Sequence, residues 1–213
     1  MADLAAALDR AVRPGDRVLD VWSGSRPYDD LVSSAAEVVA LDVEGNPYGI
    51  ADVVSDELLP FPDESFDVVM CIQAFDLVPD PARAAGEFRR VLRPGGRVVV
   101  SVPLVWEYDP SGRDRRYTGL QLAGLFAEWS KVTVTENGGR AVAWTTLSGS
   151  LFKSVENRLA RRRAIGAVVR PVFAGVYAGV NVIGLGLDAL ERRTADGSHV
   201  LPMNLLLTAE RPA

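Results

Sequence analysis

Short apolar runs, rich in Val and apolar at successive rather than alternate positions, recur at residues 17–21, 38–42, 66–71 and 97–102. Runs of strand length with both faces apolar predict strands covered on both sides, as in a parallel sheet. Helical spacing fills the intervals at residues 28–35 and 81–92. The second of these has Asp80 as N-cap, Pro81 in its first turn and Pro94-Gly95-Gly96 as its stop. Residues 2–11 read as a short amphipathic helix. Alternation of strand and helix predicts right-handed crossovers and a doubly wound α/β sheet.

The second half has a different pattern. Residues 118–129 predict a helix with Leu120, Leu122, Leu125 and Phe126 inward. Residues 131–135 alternate like a strand, ended by Asn137-Gly138-Gly139, and residues 201–209 form a last apolar strand. A helical insertion at about 145–195 separates these two strands. In it Leu151, Val155 and Leu159 form a stripe, with Arg158, Arg161, Arg162 and Arg163 on the other side. Pro171 is expected to break the helix before the apolar residues 172–187, where Ala174, Gly175, Ala178 and Gly179 offer small-residue faces for close helix contact. That run falls short of the ~20 apolar residues of a spanning helix. Three readings remain for 151–190: a helix buried in the core or in a homodimer, a basic amphipathic pair in peripheral contact with an anionic membrane, or a roof over an apolar ligand. The chain is read as one domain, 1–213, with a ligand-binding half at 16–103 and a second half at 104–213.

Composition narrows the class. The chain has 213 residues, 48% of them hydrophobic, which suits a folded domain with a sizeable core. A net charge of −5 gives no global basic field, so nucleic acid is not expected as a partner. The single cysteine, Cys71, excludes an internal disulfide and fits a reducing, cytoplasmic compartment. No signal peptide is read at the start, and no cluster is assigned to a metal.

The chemistry is expected where the first strand ends. In an open α/β sheet the ligand lies outside the carboxyl ends of the strands. There Asp20 is followed by Val21-Trp22-Ser23-Gly24, a loop in which glycine lets the backbone approach a ligand. The dinucleotide fingerprint, glycine-x-glycine-x-x-glycine, is absent. Asp42 ends the second strand; it could accept both hydroxyls of a ribose, or be a solvated strand-end carboxylate.

Three segments carry a resemblance: the Asp20–Gly24 strand and loop, Leu59-Pro60-Phe61-Pro62-Asp63-Glu64-Ser65-Phe66-Asp67, and Pro94-Gly95-Gly96 before a strand. Together they resemble class I S-adenosylmethionine-dependent methyltransferases, in the group related to ubiquinone and menaquinone methyltransferases. The resemblance implies a Rossmann-like, seven-stranded, mostly parallel sheet with an antiparallel last hairpin, and S-adenosylmethionine as cofactor. It would place Asp20, Trp22, Ser23 and Gly24 along the methionine part and Asp42 on the ribose. Asp56 and Glu57 would flank the adenine, with Asp52 as a competing candidate. Cys71, Ile72 and Gln73 would floor the pocket.

The chain departs from that group at three positions. Trp22 and Arg26 stand where the first and third loop glycines belong, and Leu77 stands where a histidine often faces the acceptor. The lone His199 reads as a loop residue. Asp76, Tyr108, Asp114 and Tyr117 remain as candidates for a general base, the last three in a segment resembling a substrate lid. The expected function is methyl transfer to a small-molecule or lipid-like acceptor. The alternative is a non-catalytic binding or scaffolding protein on the same fold.

Overall fold

The computed structural model describes residues 2–55, 59–106, 113–161, 163–194 and 202–213. The chain divides into two compact units, one of Met1–Pro103, Asp109–Thr135 and Leu205–Ala213, the other of Leu104–Tyr108 and Glu136–Asn204.

Seven strands form one sheet: β1 (Arg17–Val21), β2 (Glu37–Asp42), β3 (Val53–Val54), β4 (Phe66–Ile72), β5 (Leu92–Pro103), β6 (Ser130–Asn137) and β7 (Asn204–Glu210), in the order β3-β2-β1-β4-β5-β7-β6. The pairs β1–β2, β1–β4, β2–β3 and β4–β5 are parallel. The sheet closes with an antiparallel strand: beyond β7, Arg211 exchanges backbone bonds with Gly95 and Gly96 at 3.0 and 2.8 Å. The period of two sorts the side chains into two layers. On one face Val18, Val68, Met70 and Val99 pack with Leu4, Ala7, Leu8 and Ala11 of helix α1 (Ala2–Ala11). Those four sit at the i, i+3, i+4, i+7 positions of a helix stripe. On the other face Leu19, Val69, Val98 and Val100 pack with Ala84, Ala85, Phe88 and Val91 of helix α2 (Pro81–Val91).

α2 begins as expected, with the Asp80 carboxylate accepting from the Arg83 N–H at 3.0 Å. It then runs straight into β5. Arg90 reaches back from α2 to the 59–67 segment, donating to the carbonyls of Leu59 (2.9 Å) and Phe61 (2.8 Å) and pairing with Asp63 (2.8 Å). The Leu-Pro-Phe motif is thus a clamped turn that delivers the chain into β4. At the start of β5, Gly95 has φ 76°, and a Cβ on Gly96 would lie 2.8 Å from the Arg93 carbonyl oxygen and 3.2 Å from that of Asp67. Gly96→Ala is expected to destabilise the protein by roughly 2–3 kcal/mol, because backbone must shift to admit the methyl. Equilibrium urea unfolding checks this.

Four expectations are corrected. Residues 28–35 form a short 3-10 turn, Asp29–Val32, since Leu31 and Ala35 close i→i+3 bonds to Tyr28 and Val32. The neighbouring serines favour turns over helix. The helix expected at 118–129 is α3 (Gly119–Gly124), opened by a Thr118–Gln121 capping box. Beyond Gly124 the chain tightens into i→i+3 turns that bring Phe126 and Trp129 inward and leave Leu120 89% exposed. Pro171 does not break its helix. Helix α5 (Arg163–Thr194) runs through it, following α4 (Arg140–Leu159). Gly175 and Gly179 meet nothing on α4; the close contact is at Gly184, where a Cβ would collide with Thr145.

Candidate functional site

The carboxyl ends of β1 and β2 build one compact arrangement. Leaving β1, the chain turns through Trp22 (φ 57°), Gly24 (φ 58°) and Arg26 (φ 54°), three residues in the left-handed region of which one is glycine. The backbone therefore keeps the shape that glycine ordinarily supplies, at about 1 kcal/mol for each substituted position. Neighbours offset that cost. The Trp22 ring packs against Phe88, centroids 6.1 Å apart. The Arg26 guanidinium bridges Asp29 (2.9 Å) and Asp52 (3.0 Å). Trp22→Gly relaxes the backbone but removes the ring. A net loss of about 1–2 kcal/mol in stability is expected, with the loop retained, readable by urea unfolding.

Asp42 fastens the loop to β2. One carboxylate oxygen accepts from the Gly24 N–H at 2.7 Å and from the Asn46 side-chain amide; the other accepts from the Val43 N–H at 2.7 Å. Asp52 is committed elsewhere, accepting from the Ala40 N–H at 2.9 Å as well as from Arg26. Asp20 is different. It is 2% exposed, and its Oδ2 has no partner among the described residues. Burial, then the Asp29 carboxylate, push its pKa up to about 7 against the pull of Arg26. The Ser23 hydroxyl, 6% exposed, also lacks a partner there. A buried carboxylate with an unpartnered oxygen beside a turn of left-handed backbone is a candidate site for a cationic group.

Beside the loop lies a cavity of about 390 Å³ walled by Trp22, Leu41, Ser55, Leu59, Val78 and Phe88. Asp56 and Glu57 lie outside the described residues. The other expected floor residues do not line this cavity: Cys71 is fully buried in the α2-side core and Ile72 in the α1-side core. Gln73 is exposed, with φ 59° and its amide donating to the Ser101 hydroxyl at 2.7 Å. Asn46 and Ser55 were not singled out by the sequence. Asn46 precedes Pro47 in what reads as a plain turn, and Ser55 has no charge to draw notice.

A second cluster forms at the end of β4. Asp76, on a 3-10 turn (Phe75–Leu77), faces Arg116 at 3.8 Å, and Arg116 also holds Asp114 at 2.9 Å. Arg115 donates to the carbonyls of Val78 and Pro79 and so pins this segment in place. Asp76 Oδ1, Asp114 Oδ1 and the Tyr117 hydroxyl are buried without partners among the described residues. Burial first, with Asp114 adding, raises the Asp76 pKa against Arg116; burial likewise raises that of Tyr117. Three of the four candidate bases thus come together, while Tyr108 lies outside the described residues. Leu77 is 48% exposed and contributes no titratable group.

A sheet in the order 3-2-1-4-5-7-6, with a carboxylate-rich turn at the ends of its first two strands, is the architecture of class I S-adenosylmethionine-dependent methyltransferases. Residues 25–100 match the family described as "Methyltransferase domain", and over that stretch the chain resembles class I methyltransferases of the type related to the quinone methyltransferases. It is 39% identical over 97 residues to the demethylmenaquinone methyltransferase of Mycobacterium sp. (strain KMS), covering 42% of each chain. It is 34% identical over 108 residues to the ubiquinone/menaquinone biosynthesis C-methyltransferase of Hahella chejuensis, covering 42% of this chain and 43% of that one. The chain spans less than half the length of these curated relatives. Among solved structures it resembles the (4+2)-cyclase SpnF, with a TM-score of 0.64 and 22% identity over 99% of this chain and 80% of that one. The fold therefore hosts more than one chemistry, and the reaction must be argued from the site.

S-adenosylmethionine is the cofactor of this class, and the residues present fit it. Asp20 offers an unpartnered carboxylate oxygen, the loop keeps its left-handed turn, and Asp42 stands at the end of β2.

Proposed function

We propose that the chain transfers a methyl group from S-adenosylmethionine to a small, apolar, quinone-like acceptor. The observation that carries the reading is the buried, unpartnered Asp20 carboxylate beside the left-handed loop. Asp20 and Ser23 would take the charged methionine end, Asp42 the ribose, and the cavity walled by Trp22 and Leu59 the flat base. Bound there, the cofactor supplies an already activated methyl group, so alignment and exclusion of water can carry much of the barrier.

Acceptor-side work falls to the Asp76–Asp114–Tyr117 cluster. A carboxyl whose pKa is raised by burial is a better proton acceptor than an ordinary one. Asp76 would remove the acceptor's proton, with Arg116 fixing its orientation. Asp76→Asn is expected to lower the methyl-transfer rate about 10²–10⁴-fold while leaving cofactor affinity within about twofold. In the parent protein the rate should rise with pH through the raised Asp76 pKa, and that step should vanish in the variant.

The quinone-like acceptor is supported by the relatives from Mycobacterium and Hahella, whose names place them in quinone methylation. Incubation with methyl-labelled S-adenosylmethionine and a demethylated quinol tests it. Label moving into the organic phase supports the reading; a protein that binds cofactor yet labels no acceptor contradicts it. That second result would favour a non-catalytic binding role, the reading to which Leu77, in place of a titratable side chain, points.

A further inference from the structure

The helical unit leaves much of its apolar surface exposed. α5 contains a 26-residue segment, Gly166–Glu191, within which an 18-residue window has mean hydropathy 1.5 and is 6% buried. Val168, Val172, Val182, Ile183, Leu185 and Leu190 are each more than half exposed. On α4, Leu147, Leu151, Val155 and Leu159 form an exposed stripe at four-residue spacing. Among the more buried residues of the pair, Phe152, Val169, Phe173, Val176 and Val180 are half-buried and apolar, and polar groups lie among them. Glu156 is 6% exposed and accepts from the Lys153 ammonium at 3.0 Å and from the Tyr177 hydroxyl at 2.9 Å. A cavity of about 580 Å³ in this unit has a mixed lining that includes Trp106 and Leu147 beside Thr145, Lys153, Tyr177 and Asn181. A helix pair built for water turns its apolar stripes toward each other. One built for lipid turns them outward, keeps polar and ionisable groups inward, and tolerates small-residue contacts and helical proline. Gly184 against Thr145 and Pro171 within α5 are of the second kind.

We propose that the α4–α5 hairpin embeds in a lipid bilayer, with its basic turn at anionic headgroups. Length agrees: the 26-residue segment extends about 39 Å at ~1.5 Å per residue, against a hydrocarbon core of ~30 Å. Charge agrees as well. Arg158 and Arg161 stand where α4 ends, Arg163 opens α5, and Arg170 lies two turns further on, so one end of the hairpin is strongly basic. Such a cluster pairs with phosphate headgroups while its aliphatic stems stay in the apolar layer.

Flotation of the full chain with vesicles decides the matter. With phosphatidylcholine–phosphatidylglycerol vesicles the protein is expected to float and to stay bound through a wash of about 1 M salt, which screens surface attraction but not burial in hydrocarbon. Without phosphatidylglycerol, binding should fall severalfold. A double variant, Val182→Asp with Leu185→Asp, should lose at least about tenfold in vesicle-bound fraction. The sheet's thermal transition serves as the folding control. Should that variant misfold, Arg158→Glu with Arg161→Glu is expected to abolish the dependence on phosphatidylglycerol. Wild-type protein that stays with the dense fraction overturns the proposal, as does release by salt. A stable dimer by light scattering that vesicles leave intact also overturns it, because a second copy would then cover the apolar faces.

Discussion

At pH 8 and without cofactor, Asp20→Asn is expected to be more stable than the parent protein by about 2 kcal/mol, and to bind S-adenosylmethionine about 30–100-fold more weakly. The carboxyl titrates near 7 when folded and near 3.8 as a free side chain. Between those values the folded chain holds a proton that the unfolded chain has lost. The stability this confers is fully present below about 3.8 and is lost as pH rises through about 7. Three units correspond to about 4 kcal/mol as an upper limit, part of which local relaxation recovers. The neutral amide has no charge to bury, so its melting temperature should be flat from pH 5 to 8 while that of the parent falls. At pH 8 the difference should reach about 4–8 °C. Thermal melts at the two pH values check the first half and titration with cofactor the second. A parent protein whose melting temperature does not fall over this range would show that Asp20 is not held near neutrality.

Asp42→Ala is expected to cost about 2–4 kcal/mol of stability and to weaken cofactor binding by roughly 1–3 kcal/mol more. The side chain is 5% exposed, and its loss takes the acceptor from the Gly24 and Val43 N–H groups and the Asn46 amide. The loop residues held left-handed without being glycine, Trp22 and Arg26, would lose the anchor that opposes their strain. Asp42→Asn keeps the shape and one acceptor, and should fall between the two. Urea unfolding gives the stability term, and titration of the surviving folded protein gives the binding term. Equal affinity for Asp42→Ala and the parent would move the ribose away from β2.

The strands were legible because apolar residues on both faces leave little choice but a doubly covered sheet. β3 was missed; a two-residue strand carries no period. The start of α2 was legible because a cap stood at Asp80, and the end of α3 was illegible because i→i+3 bonds replaced i→i+4 after Gly124. In the loop, Trp22 and Arg26 read as lesions because side-chain identity was the visible quantity. The backbone dihedrals that matter had been preserved, supported by Phe88, Asp29 and Asp52 from distant parts of the chain. Asp76, Asp114 and Tyr117 were each visible singly, but their meeting depends on Arg115 and Arg116 folding a remote segment onto the turn after β4. Pro171 misled for a related reason. Proline removes one backbone bond, and a long apolar helix continues on both sides of it.

The central claim is that a loop carrying tryptophan and arginine in place of glycine still holds the cofactor through Asp20. Isothermal titration of the full chain with S-adenosylhomocysteine, in two buffers of different ionisation heat near pH 6.5, tests it most directly. Binding is expected in both, with a heat difference that reports close to one proton released as Asp20 ionises against the ligand's ammonium, and with no such difference in Asp20→Asn. Absence of any binding heat at millimolar ligand, together with an unchanged melting temperature, would contradict the account.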